Sequence, residues 1–318
     1  MTVPFKIFFT TDIHGSERCF RKFINSAKFY DAQVLILGGD ITGKVIIPII
    51  KNANKMYRAV ISNRPREVAE DELNVLIEEI RFNGYYPYIT TTEELAEIEA
   101  EPKGKERLFR LAIKESLEKW FALAEERLKP LNIKVYISPG NDDDFIVDEV
   151  LKSSDFIINP EEKVVEIAPG VEMLTFGFAN PTPWNSPREL SEEELEERLT
   201  VLADKMSYEG ISIYNIHVPP FNTPIDQAPK LDSNLKPVVE AGQIVMTGVG
   251  SKAVRNLIMK YQPTLGLHGH VHESAGIVRL GKTVCINPGS EYNDGVLRGA
   301  LITIDEKKKK ISYQLTVG

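Results

Sequence analysis

Residues 6–15 read KIFFTTDIHG. A short apolar run that stops at Asp12 and His14 reads as a buried strand delivering a carboxylate and an imidazole at its C-terminal end. The arrangement recurs along the chain. VLILGG (34–39) ends at Asp40, KVYIS (134–138) at PGNDDD, ISIYNI (211–216) at HVPP, and TLGL (264–267) at HGHVHES. Helical patterning over residues 16 to about 29, with Ser16 as N-cap, separates the first two strands. Strands alternating with helices imply a parallel α/β sheet, and the C-terminal edge of such a sheet is where ligands bind.

Three of the five histidines stand at 268, 270 and 272. In an extended segment that spacing points all three the same way. Imidazoles crowded on one face repel once charged, unless something accepts their lone pairs. The strand ends together collect Asp12, His14, Asp40, Asn141, His217, His270 and His272, with Asp142 and His268 beside them. Carboxylates, an amide and imidazoles suit divalent manganese, iron, nickel, cobalt or zinc. Two ions need about four ligands each, so these seven residues suffice if one carboxylate bridges. Asp40 is the natural bridge, since a carboxylate has two oxygens. A lone histidine at a strand end is usually a hydrogen-bonded structural residue; D-x-H, GGD, GND, an isolated His and GHxH in that order are hard to obtain by chance.

These five blocks, DIHG (12–15), GGD (38–40), GND (140–142), IH (216–217) and GHVH (269–272), resemble those of the calcineurin-like metallophosphoesterases, and they span nearly the whole chain. The resemblance implies an α/β fold, a four-layer αββα sandwich with a two-metal site at the strand ends. One ion would be held by Asp12, His14, Asp40 and His272, the second by Asp40, Asn141, His217 and His270. It also implies a phosphoesterase in which a hydroxide between the metals attacks phosphorus, with no Ser, Cys or Lys nucleophile. The stretches NPTPWNSPREL (180–190), HVPPFNTPID (217–226), VGSKAVRNLI (249–258) and INPGS (286–290) are similar to a prokaryotic branch of that superfamily.

Two positions stand apart. Many family members carry His after the Gly-Asn pair, against the phosphate and leaving group; here the residue is Asp142. Two divalent ions against Asp12, Asp40 and a hydroxide leave a formal charge of about +1, or about zero with an ionised Asp142, and a neutral site tolerates a singly charged diester better than a monoester. A phosphodiester or small nucleotide-like phosphate is therefore the expected substrate. His268 lies outside the GHxH pair. Either it orients a ligand or a loop carbonyl, as metal sites commonly require, or it donates a proton to the leaving group. Asp143 or Asp144 reads as the N-cap and first turn of a helix at FIVDEVL.

The chain has 318 residues, a net charge of −8 and only two cysteines, Cys19 and Cys285. The length fits a single domain with an insertion. The cysteine usage fits a reducing cytoplasm, no run suits a membrane span, and the N-terminal stretch lacks a basic leader. The acidic balance argues against an extended nucleic-acid groove, and with it against a nuclease. The lysines at 307–310 form the one basic block, expected at a hairpin tip. More than ninety residues separate GGD from KVYIS, where one crossover needs about 30. Leu73, Leu76, Ile77 and Ile80, and again Leu108, Leu111, Ile113, Leu117, Phe121 and Leu128, recur at helical spacing. This predicts a helical insertion over about 50–130, serving core packing or a homo-oligomer contact, or else covering the site with Tyr85, Tyr86 or Tyr88. A non-catalytic metal-binding scaffold on the same fold is the competing reading; loss of the motif histidine favours it and retention of every metal ligand opposes it.

Overall fold

The computed structural model describes residues 4–52, 54–305 and 310–318. Along the chain run β1 (Phe5–Thr10), α1 (Glu17–Tyr30), β2 (Val34–Gly38), β3 (Ile46–Lys51), β4 (Met56–Ile61), β5 (Arg64–Ala69), α2 (Leu73–Phe82), β6 (Tyr86–Thr90), α3 (Thr92–Ala100) and α4 (Gly104–Leu128). Then come β7 (Lys134–Ser138), α5 (Ile146–Ser153), β8 (Ile157–Ile158), β9 (Val164–Ala168), β10 (Val171–Phe176), α6 (Glu192–Ala203) and β11 (Ile211–Ile216). After the short ribbons β12 (Gln227–Pro229), β13 (Val239–Glu240), β14 (Gln243–Ile244) and β15 (Met246–Gly248) follow α7 (Lys252–Tyr261), β16 (Leu265–Leu267), β17 (Gly276–Leu280), β18 (Thr283–Asn287), β19 (Arg298–Asp305) and β20 (Lys310–Val317).

Two six-stranded sheets carry the molecule, ordered β20-β19-β1-β2-β7-β8 and β17-β18-β16-β11-β10-β9. Their central strands are parallel, β1 beside β2 and β2 beside β7 in one, β10 beside β11 and β11 beside β16 in the other. Successive side chains of a strand face opposite ways, and here both faces are apolar. Ile7, Phe9, Val34 and Ile36 point inward to meet Met173, Ile213, Leu265 and Ile286 of the facing sheet. Phe8, Leu35 and Leu37 point outward beneath α1, α4 and α5, while Leu174, Phe176, Tyr214 and Ile216 lie beneath α6 and α7. This is the αββα sandwich expected. Continuous apolar strands such as VLILG are what a sheet covered on both faces requires. Among the described residues no helix is long and apolar enough to cross a membrane.

Local signals set the helix starts. Ser16, Ser191 and Ser251 cap α1, α6 and α7 by accepting backbone N–H groups, and Ser191 forms a reciprocal capping box with Glu194. The hairpin β19–β20 is present; residues 307–309 of the lysine run lie outside the described residues.

The segment between β2 and β7 holds the helices the pattern predicts: α2 covers the first apolar series, Thr91 caps α3, and α4 covers the second. It also holds a four-stranded sheet, β5-β4-β3-β6, which the pattern does not show. That sheet has its own core of Ile47, Ile49, Tyr57, Ala59, Ile61, Val68, Leu76 and Ile80. The helix α4 does not belong to this added unit alone. Its Ile113, Leu117, Trp120, Phe121, Ala124 and Leu128 pack into the outer layer of the first sheet, so α4 is the crossover helix that returns the chain from β2 to β7. Trp120 stacks on Phe20 of α1 with ring centroids 4.5 Å apart and planes 12° from parallel.

This stack yields a stability prediction. Trp120 is 4% exposed, and Trp120→Ala should cost about 3–5 kcal/mol through lost burial and the cavity left behind. Phe29 on α1 is 80% exposed, and Phe29→Ala should change stability by less than about 0.5 kcal/mol. Urea unfolding of the two variants measures both; equal midpoints would show that α4 does not close the outer layer.

Candidate metal centre

The C-terminal ends of β1, β2, β7, β11 and β16 meet where the two sheets face each other. Beyond each end the backbone turns sharply. Asp12, His14, Asp40 and His270 all have left-handed backbone, with φ of 52°, 38°, 49° and 66°. This region is unfavourable for residues with a side chain, and such strain gathers at functional sites. Backbone hydrogen bonds hold it in place: Asp12 N–H donates to Gly39 O at 3.0 Å, His14 N–H to Asp40 O at 2.9 Å, and Gly269 N–H to His217 O at 2.8 Å. Gly39, at φ +118°, lets the His217 ring approach, since a Cβ there would lie 2.3 Å from its Nδ1. A Cβ on Gly140 would lie 2.3 Å from Asp40 Oδ1.

The residues gathered there are those expected from the sequence. His14 Nε2 and His272 Nε2 are 3.0 Å apart. His272 Nε2 is 3.4 Å from Asp12 Oδ1, and His217 Nε2 is 3.4 Å from Asp40 Oδ2 and 3.8 Å from Asp12 Oδ1. His14 Nε2 lies 3.7 Å from Asp40 Oδ2. His270 Nδ1 is 2.7 Å from Asn141 Oδ1, and the His270 N–H donates to the Asp12 carboxylate. Two ligands about 2.1 Å from one ion, at tetrahedral or right angles, stand about 3.0–3.4 Å from each other. The spacings of His14 to His272, His272 to Asp12 and His217 to Asp40 match that. The Asp12–His14–His272 and Asp12–Asp40–His217 groups each bring their donor atoms within 4.8 Å of one another. Asp12 thus spans both halves of the cluster, as Asp40 does.

Electrostatics follow from burial. Asp12, His14, Asp40 and His217 are sealed from water, while His270 and His272 are partly exposed. Burial works against the Asp12 carboxylate, but the charge on His217 and the hydrogen bond from His272 hold it down at about 2. Asp40 is held well below the usual carboxylate range against the same burial, again by His217. Burial would lower His217, but Asp40 and Asp12 raise it to about 10. Burial lowers His14 and His270 to about 4. The Nδ1 of His217 faces Gly38 O at 3.1 Å, which leaves Nε2 buried, without a hydrogen-bond partner and aimed between two carboxylates. A carbonyl on one ring nitrogen leaves the other as the one that can ligate a metal once it gives up its proton. The donor set fits divalent ions.

His268 is fully buried; its Nδ1 donates to Ile216 O at 2.7 Å, its Nε2 has no partner, and burial lowers it to about 4. It packs under the His217 loop and makes no hydrogen bond with the other side chains of the cluster among the described residues. Asp142 does face the cluster, its carboxylate within 4.8 Å of donor atoms of His14 and Asp40. Its charge is not free, however: Lys44 Nζ forms an ion pair with Oδ2, while Ser186 Oγ and Asn141 Nδ2 donate to Oδ1. Lys44 carries no signal in the sequence, because a lysine four residues after a GGD is ordinary surface composition. Asp143 is not the helix cap expected. It turns inward and accepts from Gly140 N–H, Ile41 N–H, Thr42 N–H and Thr42 Oγ1, tying the Asp40 loop to the Asn141 loop. Asp144 meets the expectation in part, accepting from the Ile146 N–H at the start of α5. Asn287 and Ser290, from INPGS, hold the histidine loop and the Asp12 carbonyl. Of the three tyrosines, Tyr86 is buried and accepts from Gly43 N–H, and Tyr88 bonds Glu94 within the added unit.

No family model matches the chain. The uncharacterized protein MJ1162 of Methanocaldococcus jannaschii is 30% identical over 169 residues, covering 51% of this chain and 68% of that protein. Among solved structures, TT1561 of Thermus thermophilus aligns over 98% of this chain and 99% of its own, at 13% identity and a TM-score of 0.54. A further crystal structure aligns over the same shares at 17% identity and a TM-score of 0.58. These last two likenesses concern the fold. The chain belongs to the family of MJ1162, and its five ordered motifs resemble those of the calcineurin-like metallophosphoesterases.

Proposed function

We propose that the protein is a phosphodiesterase acting on a small phosphodiester or nucleotide-like phosphate with two divalent ions. The observation that carries this reading is the set of imidazole and carboxylate donors converging at ion-ligand spacing around a partnerless, buried His217 Nε2. Asp12, His14, Asp40 and His272 would hold one ion, and Asp40, Asn141, His217 and His270 the other, with Asp12 near both. When bound, such ions supply a hydroxide at neutral pH and neutralise charge on the phosphoryl oxygens.

The chain's own residues do the rest. The Gly38 carbonyl fixes the His217 tautomer, and Asn141 fixes the His270 ring. Asp143 locks the loops of Asp40 and Asn141 together, so two strand ends of one sheet keep a constant separation. Lys44 alters the charge expected from the sequence. Two divalent ions against Asp12 and Asp40 leave about +2, and the Asp142–Lys44 pair adds nothing. With a hydroxide present, about one positive charge remains, which a diester monoanion cancels. A monoester dianion overshoots. This charge count supports a diester preference for a different reason from that inferred from Asp142 alone.

Three measurements test this. An activity screen across aryl diesters, alkyl diesters and monoesters with Mn²⁺, Ni²⁺, Co²⁺, Mg²⁺ and Zn²⁺ should show metal-dependent hydrolysis fastest on diesters; no turnover by a metal-loaded protein would leave only a binding scaffold. Asp40→Ala should lose both ions and His272→Ala mainly one, read by elemental analysis of purified protein; full occupancy in Asp40→Ala would refute the shared carboxylate. His217 is raised to about 10, so near pH 7.5 the metal-free protein carries its proton. Loading metal must therefore release the His217 proton, and a second where a bound water ionises to hydroxide, so about two protons leave each chain and affinity should rise with pH. Calorimetry in buffers of different ionisation enthalpy counts those protons; the same release from His217→Ala as from the wild type would mean His217 stays outside the coordination shell.

A further inference from the structure

The side chain of Lys44 stands at the rim of the cluster, on a loop fixed from both sides. Ile41 and Thr42 donate to the buried Asp143, and Gly43 N–H donates to the Tyr86 hydroxyl. Gly43 also presses so closely on Gly84 O that a Cβ there would lie 2.2 Å away. From this anchored backbone Lys44 reaches across to Asp142 Oδ2. The carboxylate it meets is 22% exposed, whereas the lysine side chain is 50% exposed. The two oxygens of Asp142 are taken by Lys44, Ser186 and Asn141, so Asp142 serves the ammonium and has little left for a metal or a substrate. An ammonium has three donors. Asp142 is its one ion-pair partner among the described residues, so donors remain for a further acceptor.

The Lys44–Asp142 pair stands beside the cluster. Asp142 stands within 4.8 Å of donors of His14 and Asp40, and the charge of Lys44 is felt by His14 and by Tyr292. The ring of Tyr292 packs 4.7 Å from His14 and 5.9 Å from His272. A phosphoester that reaches the donors therefore passes beside a fixed cation. At this position, after the Gly-Asn pair, relatives by resemblance carry a histidine. The present chain supplies instead an ammonium from another loop, held by an aspartate.

We propose that Lys44 is a substrate-binding residue that contacts a non-bridging oxygen of the phosphoester, in place of that histidine. The inference rests on the phosphoesterase reading above. The ammonium, its charge balanced by Asp142, offers its remaining N–H donors to the non-bridging oxygen and gains its energy in binding.

The test uses the full chain loaded with Mn²⁺, with Lys44→Met and Lys44→Arg as variants. Inorganic phosphate binding is followed by calorimetry, hydrolysis of bis(p-nitrophenyl) phosphate by kcat and KM, and manganese by elemental analysis. Loss of a charge-assisted hydrogen bond should weaken phosphate about tenfold in Lys44→Met. KM should rise by a similar factor with kcat changed less, manganese should stay at the wild-type level, and Lys44→Arg should recover most of the affinity. Phosphate bound as tightly by Lys44→Met as by wild type overturns the assignment. Loss of manganese along with phosphate overturns it too, since the lysine would then serve the metal donors. If the wild-type protein holds manganese but neither binds phosphate nor cleaves the diester, the phosphoesterase reading itself fails, and Lys44's role with it.

Discussion

Asp12 and Asp40 are two carboxylates closed off from water within reach of one imidazole, His217. Two buried negative charges at such range repel strongly, and burial alone would neutralise them. The protein keeps them charged by placing a cation between them. In the metal-free molecule that cation is the protonated His217; the same space suits an ion of higher charge. Everything around the cluster serves to hold this unfavourable grouping together. Five strand ends from two sheets converge on it, and glycines stand wherever a Cβ would strike a donor atom.

The backbone carries part of the cost. Four of the seven residues expected as ligands adopt left-handed φ, a conformation that costs roughly 1–2 kcal/mol for a residue with a Cβ. Asn and Gly would sit there with less strain, but neither offers the imidazole or charged carboxylate. The strain is held by hydrogen bonds running between loops, such as Asp12 N–H to Gly39 O and His14 N–H to Asp40 O. Rigidity before any ligand arrives is thus a property of the loops and of Asp143 beneath them.

Much of this centre is legible in the sequence because parallel strands have a simple grammar. An apolar run ends, and the next polar residue lies at the ligand edge; KVYIS and ISIYNI coincide with β7 and β11. Residues that act across the fold are not legible in this way. Lys44 meets Asp142 only because two loops some hundred positions apart lie side by side. In the DDD run, charge and spacing cannot tell which aspartate turns inward, and the one that does is Asp143. The sheet β5-β4-β3-β6 is hidden for a compositional reason. RPREVA has no apolar alternation, and Pro48 inside β3 argues against a strand. Packing against α2, through Leu76 and Ile80, overrides both signals.

The placement of β19 has a consequence for how the molecule is made. It pairs antiparallel with β1, and Thr10 Oγ1 donates to the carbonyl of Arg298, 288 positions downstream. A chain leaving the ribosome therefore exposes one edge of β1 through most of its synthesis. The segment FKIFFT, with Phe5, Ile7, Phe8 and Phe9 apolar, forms that open edge. Such an edge invites pairing with other chains. The nascent protein is at its most vulnerable to aggregation until the stretch Arg298–Asp305 emerges, and ribosome stalling short of it would leave a metal cluster's first strand as a sticky border.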